Sequence, residues 1–229
     1  MSADAASDPA VIGARVRRRP YHHGDLRRAL LDAGLELATE GGPDSVVLRE
    51  TTRRVGVSAN AAYRHFADRD ALLAEIVSLA QGKMADAIFD AIDAVPDQGD
   101  PGATARARFR AVGIGYVRFA LTEPGLFRTG FTVPTDLRRA FAPQSAGECG
   151  RTPYQLLSDR LDDLLAVGVL PVGERNGAEF LAWSAVHGLA MLALDGPLRA
   201  LPRESLDELT PRLVTMVDVG LGVRDPSST

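Results

Sequence analysis

The stretch Leu-Arg-Glu-Thr-Thr-Arg-Arg-Val-Gly-Val-Ser-Ala-Asn-Ala-Ala-Tyr-Arg-His-Phe, from Leu48 to Phe66, reads as a short helix, a tight turn and a second short helix. Leu48, Thr52 and Val55 recur at helical spacing on one side of the first segment. Gly56 follows, the residue type that enters a left-handed conformation without steric cost. Val57 can plug the turn into a core, and Ser58 can cap the next helix by accepting from an orphan N–H. Ala61, Ala62 and Phe66 fall on or near the inner face, leaving Ala59, Asn60, Tyr63 and His65 more exposed. This layout fits a helix-turn-helix whose second helix lies in a DNA major groove. An ordinary helical corner gives the same local pattern, so the flanks decide.

Upstream, Tyr21-His22-His23-Gly24-Asp25-Leu26 leads into an amphipathic helix with Leu26, Leu30, Ala33 and Leu37 on one face, ending at Gly41-Gly42-Pro43. Downstream, Asp68 can cap a long helix, Asp68 to Ala94, that carries Leu72, Ile76, Leu79, Ile88 and Ile92. The run from Tyr21 to Leu73 has a Gly-Val-Ser turn and a Tyr-x-His-Phe close, followed by an acid–base pair and Leu-Leu. In these features it resembles the N-terminal domain of TetR/AcrR-family transcriptional regulators. Two later elements resemble one branch of that family, marked by a Trp…His-Gly (WHG) motif. They are Tyr116-Val117-Arg118-Phe119-Ala120 with Glu123-Pro124 and Leu126-Phe127, and Trp183-Ser184-Ala185-Val186-His187-Gly188. The resemblance implies a disordered basic arm over 1–20, a helix-turn-helix domain over 21–67 and a ligand-binding and dimerisation domain over 68–229.

A chain of 229 residues suits one or two domains with a sizeable core. Helix formers dominate and hardly any segment alternates apolar with polar residues, so the expected fold class is all-α. The net charge of −4 is unevenly spread: residues 13–70 hold eleven arginines against eight acids, and the rest of the chain is acidic. A basic pole on an acidic body concentrates phosphate affinity at one end. Cys149 is the lone cysteine, so no intramolecular disulfide can form. No apolar run approaches the roughly 18 residues of a membrane span, and a cytoplasmic location with no membrane partner is expected.

For DNA, Arg17, Arg18 and Arg19, with Arg15, precede Pro20 and can enter a minor groove from a flexible arm, or act only as a solvated attractive tail. The resemblance places Arg49 at a base- or phosphate-contacting position, where its fork could read a guanine; a surface ion pair is the other reading. Ser58, Ala59 and Asn60 open the second helix, where side chains first meet base edges. Asn60 can read an adenine or merely extend the cap, and Ala59 and Ala61 offer only apolar contact to a thymine methyl. The resemblance gives Tyr63 and His65 to the DNA backbone and Arg69 to a phosphate, contacts that set register. Tyr63 can equally be a packed aromatic with a wet hydroxyl. Thr51-Thr52 departs from the family's large-aliphatic-then-small pair, and a buried threonine hydroxyl can bond back to the i−4 carbonyl.

Past a break at Pro96–Pro101, helices are expected over about 103–121, 135–142, 153–167, 174–194 and 204–221, with 122–150 otherwise loop-rich. The 174–194 segment is apolar nearly all round, so it must be buried on more than one side. Pairing of 174–194 and 204–221 with a second copy as a four-helix bundle is expected. The aromatics Phe89, Phe109, Tyr116, Phe119, Phe127, Phe131, Tyr154 and Trp183 concentrate in this body and can collectively wall an apolar cavity. The candidate ligand pocket is Phe89, Tyr116, Phe119, Phe127, Phe131, Trp183, His187 and Met191. For any single one, a core role is the alternative, and His187 can be an anchor or a satisfied core histidine.

No zinc site is expected from His22-His23 or Cys149, no cofactor from any glycine-rich loop, and no enzyme from the carboxylates Asp159, Asp162 and Asp163. The expectation is a homodimeric transcriptional repressor on double-stranded operator DNA, released by a small apolar or amphipathic effector through motion of the Asp68–Ala94 helix. The alternatives are an effector-independent nucleoid-associated or adaptor protein, and a ligand carrier or enzyme with an incidental helix-turn-helix.

Overall fold

In the computed structural model, residues 23–133, 138 and 142–223 are described, and every regular element among them is helical. Arg17, Arg18 and Arg19 lie outside the described residues, as do all but Arg138 and Ala142 of the helix expected over 135–142.

The ends of the first three helices, α1 (His23–Gly41), α2 (Leu48–Val55) and α3 (Ala59–Tyr63), follow from single residues. Gly56 sits at φ 75°, ψ 32°, the left-handed region. From there its N–H donates to the Arg53 carbonyl (3.2 Å) and the Val57 N–H donates to the Thr52 carbonyl (3.0 Å). This paired pattern satisfies the orphan carbonyls of α2 and turns the chain sharply into α3. Ser58 caps α3, its Oγ accepting from the Ala61 N–H at 3.3 Å. The two buried threonines are also satisfied: Thr51 donates to the Val47 carbonyl (3.0 Å) and Thr52 to the Arg49 carbonyl (2.9 Å). Their hydroxyls therefore cost no unpaired group in the core.

Asp68 caps α4 (Arg69–Asp93) by accepting from the Ala71 N–H at 2.8 Å. In α5 (Pro101–Thr122), Asp100 caps at 2.7 Å, and Pro101 occupies the first turn, where no N–H is needed. A reciprocal Thr152–Gln155 capping box starts α7 (Pro153–Ala166), again with a proline in the first turn. The last two helices are α8 (Ala178–Leu194) and α9 (Arg203–Gly220). At the centre, α5 is packed against α4, α7, α8 and α9. One contiguous apolar core runs from Leu30, Leu48 and Phe66 through Ile76, Met84 and Ile88 to Tyr116, Leu161 and Val186. The helix-turn-helix and the body thus share a core along α4.

Two expectations are corrected. The stretch after Thr122 begins with a further helix, α6 (Pro124–Phe131), rather than with loop. Pro124 and Gly125 look like punctuation in the sequence, but the proline fills the first turn. A Cβ on Gly125 would stand 2.3 Å from the carbonyl oxygens of Ala38 and Thr39, so glycine is what lets α6 lie on α1. The helix expected from 174 instead starts at Ala178, after a 3-10 turn at Val172–Glu174 and Gly177 at φ 78°.

Candidate nucleic-acid interface and ligand cavity

The outer face of the helix-turn-helix carries Arg49, Ala59, Asn60 and Tyr63, all exposed. Ala61 and His65 are half-buried, and Ser58 is exposed while capping. At 55% exposure Tyr63 is not a core aromatic. The arginines of this end divide into two groups. Arg53 pairs with Glu50, Arg54 with Glu40 and more distantly Glu36 and Glu50, and Arg27 with Glu75 beneath the ring of Phe66. Arg49 and Arg64 pair with no carboxylate among the described residues, which leaves their guanidinium groups available to an outside anion. Arg64, at the end of α3, is a candidate that sequence reasoning passed over, although it is the variable residue of the Tyr-x-His-Phe close.

Arg69 is placed differently from a purely phosphate-facing side chain. Its Nε donates to the Val46 carbonyl at 2.8 Å and its Nη2 to the Pro43 carbonyl at 2.7 Å. It therefore ties the first residue of α4 to the loop between α1 and α2. Nη1 takes no part in these two bonds and stands 3.8 Å from Asp70.

Inside the body, α4, α5, α6, α7, α8 and α9 line an apolar cavity. Its volume is about 60 Å³, counted as space open to the centre of a water-sized sphere. One water needs roughly 10–15 Å³ on that measure, so the cavity admits a small molecule. Ile88, Phe109, Val112, Leu157, Val214 and Val217 form its apolar walls, with Gln81 from α4 and Tyr154 from α7. Gly113 brings α5 close: a Cβ there would stand 2.6 Å from Val214 and 3.2 Å from Val186.

Of the aromatic candidates, Tyr116, Phe131 and Trp183 line this cavity. Phe127 is fully buried, edge-on to Tyr116 at 5.7 Å and stacked on Phe131 at 5.5 Å. Phe119 is buried in the core, Met191 packs partly buried against that core, and Phe89 is 41% exposed on α4. His187 reaches the cavity wall indirectly. The Trp183 indole N–H donates to the Tyr116 oxygen (3.1 Å), and the same oxygen is hydrogen-bonded to His187 Nδ1 (2.8 Å). Burial holds the imidazole below its ordinary pKa and pushes the Tyr116 hydroxyl above the usual phenol range, so both are neutral at neutral pH. Gln81, Gly113 and Ala182 were not legible as lining residues, because nothing local marks which side of a buried helix faces a void.

Exposed apolar residues stand on the outward side of α8 and near the C-terminal end of α9. Leu181, Ala185, Gly188 and Leu192 share helical spacing on α8, with Leu181 65% exposed; Met216 and Val219 stand out on α9, the latter 70% exposed. A Cβ added at Gly188 or Gly220 would meet nothing within 4 Å. Among the described residues no helix is long and apolar enough to cross a membrane.

Residues 30–76 match the family model of bacterial regulatory proteins of the tetR family, and residues 109–217 match that of the tetracyclin repressor-like C-terminal domain. No curated protein matches the chain. Among solved structures, a protein of unknown function from Rhodococcus sp. RHA1 is similar at 30% identity and TM-score 0.68, covering 90% of this chain and 100% of that one. A TetR-family transcriptional regulator from Pectobacterium atrosepticum shares the fold at 19% identity and TM-score 0.59, over 90% of this chain and 97% of its own. Another from Marinobacter aquaeolei VT8 does so at 18% and 0.54, over 83% and 94%.

Proposed function

Given that this chain belongs to the TetR family of transcriptional regulators, with its DNA-binding helix-turn-helix and its C-terminal domain, we propose that it is a homodimeric repressor released from its operator by a small apolar or amphipathic effector. The single observation that carries this reading is the course of α4. It starts at Arg69, tied to the loop beside α2, and reaches Gln81 and Ile88 on the wall of the cavity. A molecule that fits the cavity better in one tilt of α4 biases the spacing of the reading heads. Differential binding of about 1–3 kcal/mol changes DNA affinity roughly 5–150-fold.

Arg49, Asn60 and Arg64, with Tyr63, His65 and the arm arginines Arg17, Arg18 and Arg19, form the DNA-contacting set in this reading. Tyr116, Phe131 and Trp183 face the effector, with His187 behind them. Leu181, Leu192, Met216 and Val219 cover the partner subunit. Trp183 and His187 both bonding Tyr116 supports the assignment to the Trp…His-Gly branch, since that element then has one shared task.

The test is a titration of the purified protein against DNA from upstream of its own gene, with scrambled competitor, at two salt concentrations. Competitor-resistant binding by an even number of subunits, weakened in Arg49→Ala, supports the reading. Sequence-blind binding that depends on salt alone favours the architectural alternative.

A further inference from the structure

We infer that the effector is an uncharged, mostly apolar molecule carrying one hydrogen-bond donor, a hydroxyl or N–H, that meets Oε1 of Gln81. The inference rests on the cavity being the effector site. Among the described residues, none that line the cavity is Asp, Glu, Lys, Arg or His. An ion placed there would give up its hydration with no counter-charge, and burial of an unpaired charge is strongly unfavourable. The recognition must therefore rest on apolar contact plus whatever polar groups remain unsatisfied.

Those groups can be counted. The Trp183 N–H is spent on Tyr116, and the Tyr116 hydroxyl on His187. Tyr154 is also engaged with neighbouring protein groups. Gln81 is the exception. It is 4% exposed, the residue lines the cavity, and its Nε2 donates to the Gly130 carbonyl at 2.9 Å, while Oε1 has no protein partner and lies just beneath the wall, so that a ligand donor meets it on a small displacement of the side chains around it. Flipping the amide does not help, because it would set Oε1 against the Gly130 carbonyl, acceptor to acceptor. The Gly130 contact thus fixes the side chain with its acceptor end unmatched. A buried acceptor left unpaired is costly, and a ligand donor removes that cost while a ligand acceptor cannot. Gln81 also lies on α4, so the bond would attach the effector to the helix that leads to the DNA-reading end.

The experiment compares four probes of matched shape: 4-propylphenol, 4-propylanisole, propylbenzene and 4-propylbenzoate. Affinities are read by calorimetry and by emission of Trp183, the only tryptophan of the chain, which lines the cavity. The expected order is the phenol tightest, by roughly tenfold over the anisole, with propylbenzene near the anisole and the benzoate weakest. In Gln81→Leu the phenol should fall to the level of the anisole while propylbenzene binding persists. Equal binding of phenol and anisole, tight binding of the benzoate, or a phenol preference that survives Gln81→Leu overturns the inference and leaves the cavity reading standing. If none of the four binds, the cavity reading itself falls. Should Gln81→Leu not fold, Gln81→Met and the wild-type ratio decide.

Discussion

Tyr116 and His187, 71 residues apart in the chain, meet at 2.8 Å between the phenol oxygen and Nδ1. Trp183, one helical turn before His187, donates to the same oxygen. One hydroxyl on α5 therefore holds two side chains of α8, and it does so at the edge of the cavity. A Cβ added at Gly188, the next residue after His187, would meet nothing within 4 Å. The Trp…His-Gly element thus links the inner wall to the outer surface of α8.

Tyr116→Phe keeps the ring and strands the Trp183 N–H and His187 Nδ1. Each becomes a polar group without its partner, at a cost of about 1–3 kcal/mol. Urea unfolding should show that loss, and Trp183 emission should shift in the folded state. A variant with an unchanged midpoint and spectrum would mean that the hydroxyl holds nothing together.

The pH dependence has a definite sign at His187. Burial lowers its folded pKa below 6.5, so below that value the unfolded chain binds more protons than the folded one. Stability then falls as pH drops from 6.5 through the folded pKa and is independent of this group above the window. Asp218 works the other way: burial beside Arg110 and Arg106 leaves its carboxyl above the ordinary range. The measurement is therefore a difference. Thermal midpoints of wild type and His187→Phe, taken at several pH values, should converge or cross as pH falls below 6.5. Parallel curves would place the imidazole proton balance elsewhere.

Much of this was legible from local chemistry. Gly56, Val57 and Ser58 set the turn through their own backbone bonds, so the sequence alone located α2 and α3. The cap at Asp68 located α4 in the same way, and the phase of Tyr154, Leu157, Leu161 and Leu164 located α7, whose Thr152–Gln155 capping box only the structure reveals. What escaped depended on distant neighbours. Pro124, Gly125 and Gly130 read as loop because the helix they belong to is shaped by the carbonyls of α1 and the side chains of α4. The grip of Arg69 on residues 43 and 46, and the choice of Phe131 over Phe89 as a cavity wall, are likewise set by packing rather than by periodicity.

Arg69→Lys separates two roles. A lysine keeps the charge for a phosphate but cannot donate to two carbonyls in a fixed fork. The fork geometry predicts that Arg69→Lys behaves like Arg69→Ala: weaker operator binding, and faster amide exchange across 43–47. Full rescue by lysine would assign Arg69 to phosphate alone.

Leu181→Glu combined with Val219→Glu places charges among the exposed apolar residues of α8 and α9. Neither side chain belongs to the buried core, so the helical content and cavity binding of the subunit should persist. Sedimentation should show half the mass of the wild type, and operator affinity should drop steeply, because two linked heads bind far more tightly than one. An unchanged mass would move the subunit contact to another face.

Gly125→Ala tests whether α6 presses on the DNA-reading domain. The added methyl would lie 2.3 Å from two backbone carbonyl oxygens of α1, at Ala38 and Thr39. Backbone inside a helix cannot rotate away as a flexible side chain would, so α6 and α1 must separate. Overpacking of this kind costs about 1–3 kcal/mol. Because α6 carries Phe131 on the cavity wall and Arg128 paired with Asp195 at the end of α8, the shift should also alter how cavity occupancy reaches the operator. The control is Gly188→Ala, which meets nothing within 4 Å inside the subunit and should leave subunit stability within about 0.5 kcal/mol of wild type. A lowered unfolding midpoint in Gly125→Ala alone is expected; equal midpoints in the two variants would mean that α6 does not bear on α1.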